Sequence, residues 1–174
     1  MILGAVLAGG RSRRFGSDKA VALLDGVTLI DRAIAALAPQ VDAVVICGRV
    51  LDGRTCVADR PAKDLGPLGG LNAALHHAVA AGFTAVVSVP CDMPLLPADL
   101  VERLRGAGTA GFAATMPVVG LWPARLAAEL DAHLAEGGDR SMWRWAARVA
   151  AVPVAIEGLA NVNTPEDLRG LHCA

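Results

Sequence analysis

The sequence predicts an α/β fold: a three-layer sandwich with a mostly parallel sheet and helices on both faces. Three observations predict it. Short apolar, β-branched runs recur along the chain, and segments of helical periodicity separate them, as parallel strands require. The runs are nearly continuously apolar, as in strands covered on both sides. Hydrophobic residues make up 54% of the 174 residues and charged residues 19%, enough for a sizeable core and too apolar for a disordered chain. No repeat, linker or low-complexity stretch divides the chain, so residues 1–174 read as a single domain.

The elements follow in order. Ile2 to Leu7 reads as a buried strand. Leu29, Ile30, Ala33, Ile34 and Leu37 recur at helical spacing, and Pro39 ends that helix. Val41 to Cys47 and Thr55 to Ala58 read as strands. Gly66-Pro67-Leu68-Gly69-Gly70 opens a helix with Leu68, Leu71, Leu75 and Val79 on one face. Pro67 suits its first turn, where an N–H would have no intrahelical partner. Ala85 to Val89 is a strand, and residues 97–105 read as a helix with Leu100 and Leu104 inward. Gly111 to Leu121 reads as one or two strands broken at Pro117. Leu126, Leu130 and Leu134 mark a helix stopped by Gly137-Gly138, and Met142, Trp145, Ala146 and Val149 a shorter one. Val152 to Ile156 is a late strand, and Thr164 caps a last helix with Asp167 at its third position.

In open sheets of this kind ligands bind beyond the carboxyl ends of the strands. The loops at residues 8–19, 47–53, 59–70 and 90–96 therefore carry the chemistry. The first of them organises the rest: Leu7-Ala8-Gly9-Gly10-Arg11-Ser12-Arg13-Arg14-Phe15-Gly16-Ser17-Asp18-Lys19. Glycines let backbone N–H groups approach phosphate oxygens, and Arg11, Arg13, Arg14 and Lys19 add positive charge. The spacing is neither G-x-G-x-x-G nor G-x-x-x-x-G-K-[ST]. Only two of the 16 basic residues are lysines, Lys19 and Lys63. Lys19 offers a compact, mobile charge where arginine would offer a rigid fork.

Asp92 follows a strand and lies between Pro90 and Pro94, where a carboxylate can ligate Mg2+ bridging phosphates or simply stabilise a turn. Asp59 also follows a strand, and either accepts hydrogen bonds from a base or sugar or pairs with Arg60 or Lys63. The helix start at Gly66–Gly70 favours an anion or close helix–sheet packing. Asn161 and Asn163 alternate as on a strand, facing a ligand or metal together or forming a cap or turn. His76, His77, His133 and His172 pair with no nucleophile by motif and read as surface or satisfied core residues. Cys47, Cys56, Cys91 and Cys173 lack zinc-ligand spacing and read mostly as buried free thiols.

Charge and length exclude other classes. A formal net charge of −1 gives no general attraction to nucleic acid or to an anionic membrane, and the local cationic loop suits a small anion. Three Trp, three Phe and no Tyr leave few platforms for stacking bases. No apolar stretch reaches membrane-spanning length, and no signal-like start is present, so the expected compartment is the cytoplasm.

Together these residues resemble the molybdenum cofactor guanylyltransferase (MobA) family. The matching pieces are Leu7-Ala8-Gly9-Gly10-x-Ser12-x-Arg14-Phe15-Gly16-x-Asp18-Lys19, Asp59, Gly66-Pro67-Leu68-x-Gly70, Pro90-Cys91-Asp92-x-Pro94 and Asn161-Val162-Asn163-Thr164-Pro165-Glu166-Asp167-Leu168. The resemblance implies a Rossmann-like nucleotidyltransferase fold and transfer of GMP from GTP to the terminal phosphate of molybdopterin. It implies that Leu7, Ala8, Gly9, Gly10, Lys19, Asp59 and Asp92 bind the nucleotide. Asp92 would hold Mg2+, Lys19, Asp92 and Arg14 would serve catalysis, and Asn161 and Asn163 would face the acceptor. Gly9, where similar cytidylyltransferases carry Ala, favours guanine. A molybdoenzyme or its chaperone would receive the product.

Two positions depart from the family pattern. Cys47 stands where members can have a nucleotide-contacting Asn, and Met116-Pro117 where many have His-Pro. A cytidylyltransferase for the same pterin, a sugar-1-phosphate nucleotidyltransferase and a non-catalytic nucleotide-binding module are the alternative readings.

Overall fold

The structure, a computed structural model, describes residues 1–9, 19–162 and 167, with Lys19 described by its backbone alone. The strands are β1 (Ile2–Leu7), β2 (Leu23–Leu24), β3 (Val27–Thr28), β4 (Ala43–Cys47), β5 (Cys56–Val57), β6 (Ala85–Pro90), β7 (Gly111–Ala113), β8 (Met116–Pro123) and β9 (Val152–Val154). The helices are α1 (Leu29–Leu37), α2 (Pro67–Ala80), α3 (Leu100–Arg105), α4 (Ala127–Glu136) and α5 (Met142–Arg148). Seven strands form one sheet in the order β5-β4-β1-β6-β8-β7-β9, and β2 and β3 form a separate hairpin.

The sheet is mostly parallel, with β1 held between β4 and β6. Only β8 runs against its neighbours β6 and β7. Two apolar cores lie on its two faces. On one, Leu68, Leu71 and Leu75 of α2, Leu130 and Leu134 of α4 and Trp145 of α5 pack on Leu3, Ala5, Val86 and Trp122. On the other, Ile30 and Ile34 of α1 and Leu100 and Leu104 of α3 pack on Val6, Val87 and Leu121.

Alternation along each strand supplies both faces, since successive side chains point to opposite sides. Within α1, Thr28 caps the first turn by accepting from the Asp31 amide at 3.1 Å. Arg32 donates twice to the carbonyl of Leu24, at 3.0 and 2.6 Å, and so ties the β2–β3 hairpin to this helix.

Several expectations need correction. The break in the 111–121 segment falls at residues 114–115, and Pro117 lies inside β8. Pairing of β8 with β6 covers Gly120–Pro123, and the β7 register shifts between Phe112 and Ala113. The amide that proline lacks therefore falls at a ladder irregularity, where its loss costs little. Val79 is exposed, and Ala74 and Ala78 fill that side of α2. The regular part of the third helix begins at Leu100, and the last strand ends at Val154. Cys47 is buried, but Cys56 and Cys91 are half-buried.

His133 is buried, yet its Nε2 has no hydrogen-bond partner among the described residues, so it is not a satisfied core histidine. Asp167 is helical, and the remaining residues of the expected C-terminal helix, with His172 and Cys173, lie outside the described residues. No helix among the described residues is long and apolar enough to cross a membrane.

Candidate functional site

The parallel strands end level with one another. Leu7 pairs with Cys47 on one side and Pro90 on the other, and Cys47 pairs with Val57. The ladder runs one residue further: the Ala8 amide donates to Cys47 at 2.9 Å, Gly48 to Val57 at 3.0 Å and Cys91 to Leu7 at 3.1 Å. Four loops thus leave one edge of the sheet together, the geometry expected of a ligand crevice in an α/β fold.

Asp59 lies between the first two of these loops and helix α2. Glycines surround its carboxylate. A Cβ on Gly9 would stand 2.9 Å from Asp59 Oδ2, and one on Gly48 would stand 2.8 Å from Oδ1. A Cβ on Gly70 would stand 3.5 Å from Oδ1, and one on Gly69 3.3 Å from the Asp59 Cβ. Gly48 has φ +79°, and a side chain there would also stand 2.6 Å from the Gly9 Cα. The two loops touch backbone to backbone, an approach that only glycine allows.

Helix α2 reaches this recess because Gly66, at φ 65°, turns the chain into Pro67 at the first helical position. The Arg60 amide then donates to the Gly69 carbonyl at 3.1 Å, which holds Asp59 against the helix start.

The carboxylate is unsatisfied. Asp59 pairs with neither Arg60 nor Lys63, and its Oδ1 is buried without a hydrogen-bond partner among the described residues. Burial, reinforced by the charge of Asp64, raises its pKa above the usual carboxylate range. A buried polar atom without a partner is costly, and such atoms are rare in folded proteins. Cys47 lies on the core side of the recess, where burial and then the Asp59 charge push its thiol pKa well upward. It is a packed neutral thiol and not a polar contact.

Asp92 leaves β6 one strand over from the Gly9 loop. Its carbonyl accepts from the Val162 amide at 2.9 Å. Asn161, half-buried, is therefore brought beside Asp92 although 69 residues separate them in the chain. Leu7 and Ala8 turn their side chains into the two cores, so any ligand contact from them is through the backbone. Lys19 opens a short 3-10 turn, Lys19–Val21, that packs against α1. Gly10, Arg11, Arg13, Arg14 and Asn163 lie outside the described residues. Among the described residues no group of three or more His, Cys, Asp or Glu side chains could enclose a metal ion.

The family model described as MobA-like NTP transferase domain matches residues 4–151. The chain belongs to that family. A molybdenum cofactor guanylyltransferase of Rhodobacter capsulatus is 42% identical over 178 residues, covering 96% of this chain and 93% of the relative. One of Sinorhizobium fredii is 36% identical over 190 residues, covering 94% and 87%. Among solved structures, molybdopterin-guanine dinucleotide biosynthesis protein A from Archaeoglobus fulgidus has a TM-score of 0.76 at 25% identity, over 98% of this chain and 96% of that one. The fold is shared more widely. The 2-C-methyl-D-erythritol 4-phosphate cytidylyltransferase of Thermus thermophilus has a TM-score of 0.71 at 13% identity, covering 100% of this chain and 98% of that one.

Within this family member, two features escape sequence reasoning. Gly48 is visible only as a single glycine after a strand, which signals a close approach or a bend without saying to what. Asn72 is fully buried on α2 and donates to Asp131 Oδ1 of α4 at 2.7 Å, while His76 Nε2 meets Oδ2 at 2.8 Å. Burial alone would raise the Asp131 pKa, but these hydrogen bonds and the charges of His76 and Arg60 outweigh it and hold it below the usual range. This trio fastens α2, and hence the glycine turn under Asp59, to α4.

Proposed function

We propose that this chain transfers GMP from GTP to the terminal phosphate of molybdopterin, giving the guanine dinucleotide of the cofactor and pyrophosphate. The observation that carries the reading is the unpaired Asp59 carboxylate in its glycine-walled recess. Guanine presents two adjacent donors, N1–H and the N2 amino group, which match the two oxygens of a carboxylate. Cytosine offers a single amino donor, so the same recess leaves part of the carboxylate unsatisfied. A site built to hydrogen-bond a ligand rejects an analogue that lacks the donor.

The remaining residues take roles along the nucleotide. Gly9 leaves room for the base at the Asp59 recess, Gly10 lets backbone amides approach the phosphates, and Arg14 and Lys19 balance the charge of the triphosphate. Asp92 would hold a divalent cation, and Mg2+ fits best. A single carboxylate at a strand end suits a hard ion that is otherwise held by substrate phosphates and water, whereas no multi-ligand cage is present among the described residues. That ion supplies neutralisation of phosphate charge. Asn161 and Asn163 face the acceptor.

The acceptor phosphate is already anionic near neutral pH, so attack in line on the α-phosphorus needs no strong base. Catalysis is then positioning and charge balance, with no covalent intermediate. Residues 1–174 act as a single nucleotidyltransferase domain, in the cytoplasm, and a molybdoenzyme or its chaperone takes the product. Neither nucleic acid nor a membrane takes part.

Pyrophosphate release with each of the four ribonucleoside triphosphates, with and without molybdopterin and Mg2+, tests this. Release should require GTP, molybdopterin and Mg2+ together, and Lys19→Ala and Asp92→Ala should each lower it at least about 100-fold. A preference for CTP, or GTP binding without release, would refute the proposal.

A further inference from the structure

Val162 belongs to no helix or strand, yet it is 1% exposed. Its side chain completes a small cluster with Leu24 and Leu29, against which Ala22 packs, apart from the two main cores. Leu24 and Leu29 belong to the segment that follows Lys19. The segment is held firmly. The Leu29 amide donates to Ala22 at 2.9 Å, and Arg32 donates twice to the Leu24 carbonyl. From that platform the Val162 amide donates to the Asp92 carbonyl at 2.9 Å.

One residue thus joins three parts of the chain: the segment after Lys19, the end of β6 and the stretch carrying Asn161. We infer that Val162 is a positioning residue that sets Asn161 against Asp92, so that the acceptor side of the site is built upon the nucleotide side. It touches no substrate and acts through its two neighbours. A buried valine suits this role. Its branched side chain has few rotamers, and the cluster gives it one seat, so the amide direction is fixed with it. Truncation to alanine would leave the amide in place but remove the contacts that aim it.

The inference rests on the guanylyl-transfer reading, and its test separates the two. The full-length wild type, Val162→Ala and Val162→Ile are compared by amide hydrogen exchange without ligands, and by KM for GTP and for molybdopterin. For Val162→Ala, exchange at residues 159–162 should quicken. The KM for molybdopterin should rise about 10-fold or more, since small misplacements are costly in positioned reactions. The KM for GTP should rise clearly less, because the Asp59 recess proposed to hold the base is untouched and only the Asp92 end of the nucleotide is disturbed. Val162→Ile, which keeps the branched side chain, should leave both readouts close to wild type.

Should Val162→Ala not fold, Val162→Thr takes its place: its hydroxyl, buried without a partner in the apolar cluster, loosens the seat, and both readouts should shift in the same direction by a smaller amount. Unchanged exchange at 159–162, or an equal rise in both KM values, overturns the inference. If the wild type shows no turnover with GTP and molybdopterin, the functional reading fails instead, and the exchange comparison still decides whether Val162 anchors this junction.

Discussion

Gly9→Ala probes the Asp59 recess with one methyl group. Its Cβ would stand 2.9 Å from Asp59 Oδ2 and 3.4 Å from the Gly48 Cα, where ordinary contacts begin at 3.4 Å. The Gly48 backbone cannot retreat cheaply, because its amide is fixed to Val57 at 3.0 Å. The carboxylate must therefore move, by about half an ångström, away from the position in which it is proposed to meet guanine. Loss of one charge-assisted hydrogen bond costs about 1.5–3 kcal/mol, or about a 10- to 150-fold fall in kcat/KM for GTP. The assay is pyrophosphate release under initial-rate conditions with GTP and with ITP, which lacks the N2 amino group. GTP should lose most of its advantage over ITP in the variant, with the melting temperature little changed. An unchanged GTP-to-ITP ratio would refute the claim that position 9 acts through Asp59.

Three further outcomes follow from the same structure. Asp59→Asn should raise the melting temperature of the ligand-free protein at pH 7 while weakening GTP. With its folded pKa raised above the unfolded value, an ionised Asp59 lowers stability above both values, and that loss fades as pH falls through the folded one. A lower melting temperature for the variant at pH 7 would contradict this. Asp131 has the opposite sign. Its lowered pKa contributes stability above about pH 4, lost as pH falls through the folded value, so Asp131→Asn should flatten the acid limb of a melting-temperature profile; an acid limb as steep as in the wild type would contradict it. Ser88→Ala tests the sheet itself. Ser88 Oγ donates to the Val118 carbonyl at 2.6 Å and accepts from Trp122 Nε1 at 2.9 Å, both within the buried β6–β8 seam. Leaving these groups unpaired should cost about 1–3 kcal/mol in a denaturant titration, and a loss under about 0.5 kcal/mol would show that the pair is dispensable.

Most of the fold is legible along the chain because its strands are buried on both faces. Ile2–Leu7 and Ala85–Val89 stand out as apolar runs for that reason, and α1 declares itself through a one-sided apolar stripe. Pro117 misleads because a proline breaks a ladder only where its amide is needed, and which edge of β8 is paired cannot be read from local sequence. The ends of the third helix and the last strand are set by tertiary packing.

The site divides in the same way. The loops after β1 and β6 stand out in the sequence as candidates because glycines, basic residues and prolines cluster there. The choice between a ligand-binding Asp59 and one paired with Arg60 or Lys63 is not, since it depends on where those side chains point. Nor are contacts across long separations. The Asn72–Asp131 hydrogen bond joins positions 59 apart, and Gly48 matters only because Gly9 lies against it.

In the proposed function Asp59 reads the base while Asp92 faces the phosphates from the next strand end. A crystal structure with a non-hydrolysable GTP analogue and Mg2+ tests it most directly. Guanine N1 and N2 should lie within hydrogen-bonding distance of the Asp59 carboxylate, with the metal on Asp92. Guanine bound elsewhere, with Asp59 still unpaired, would contradict the account.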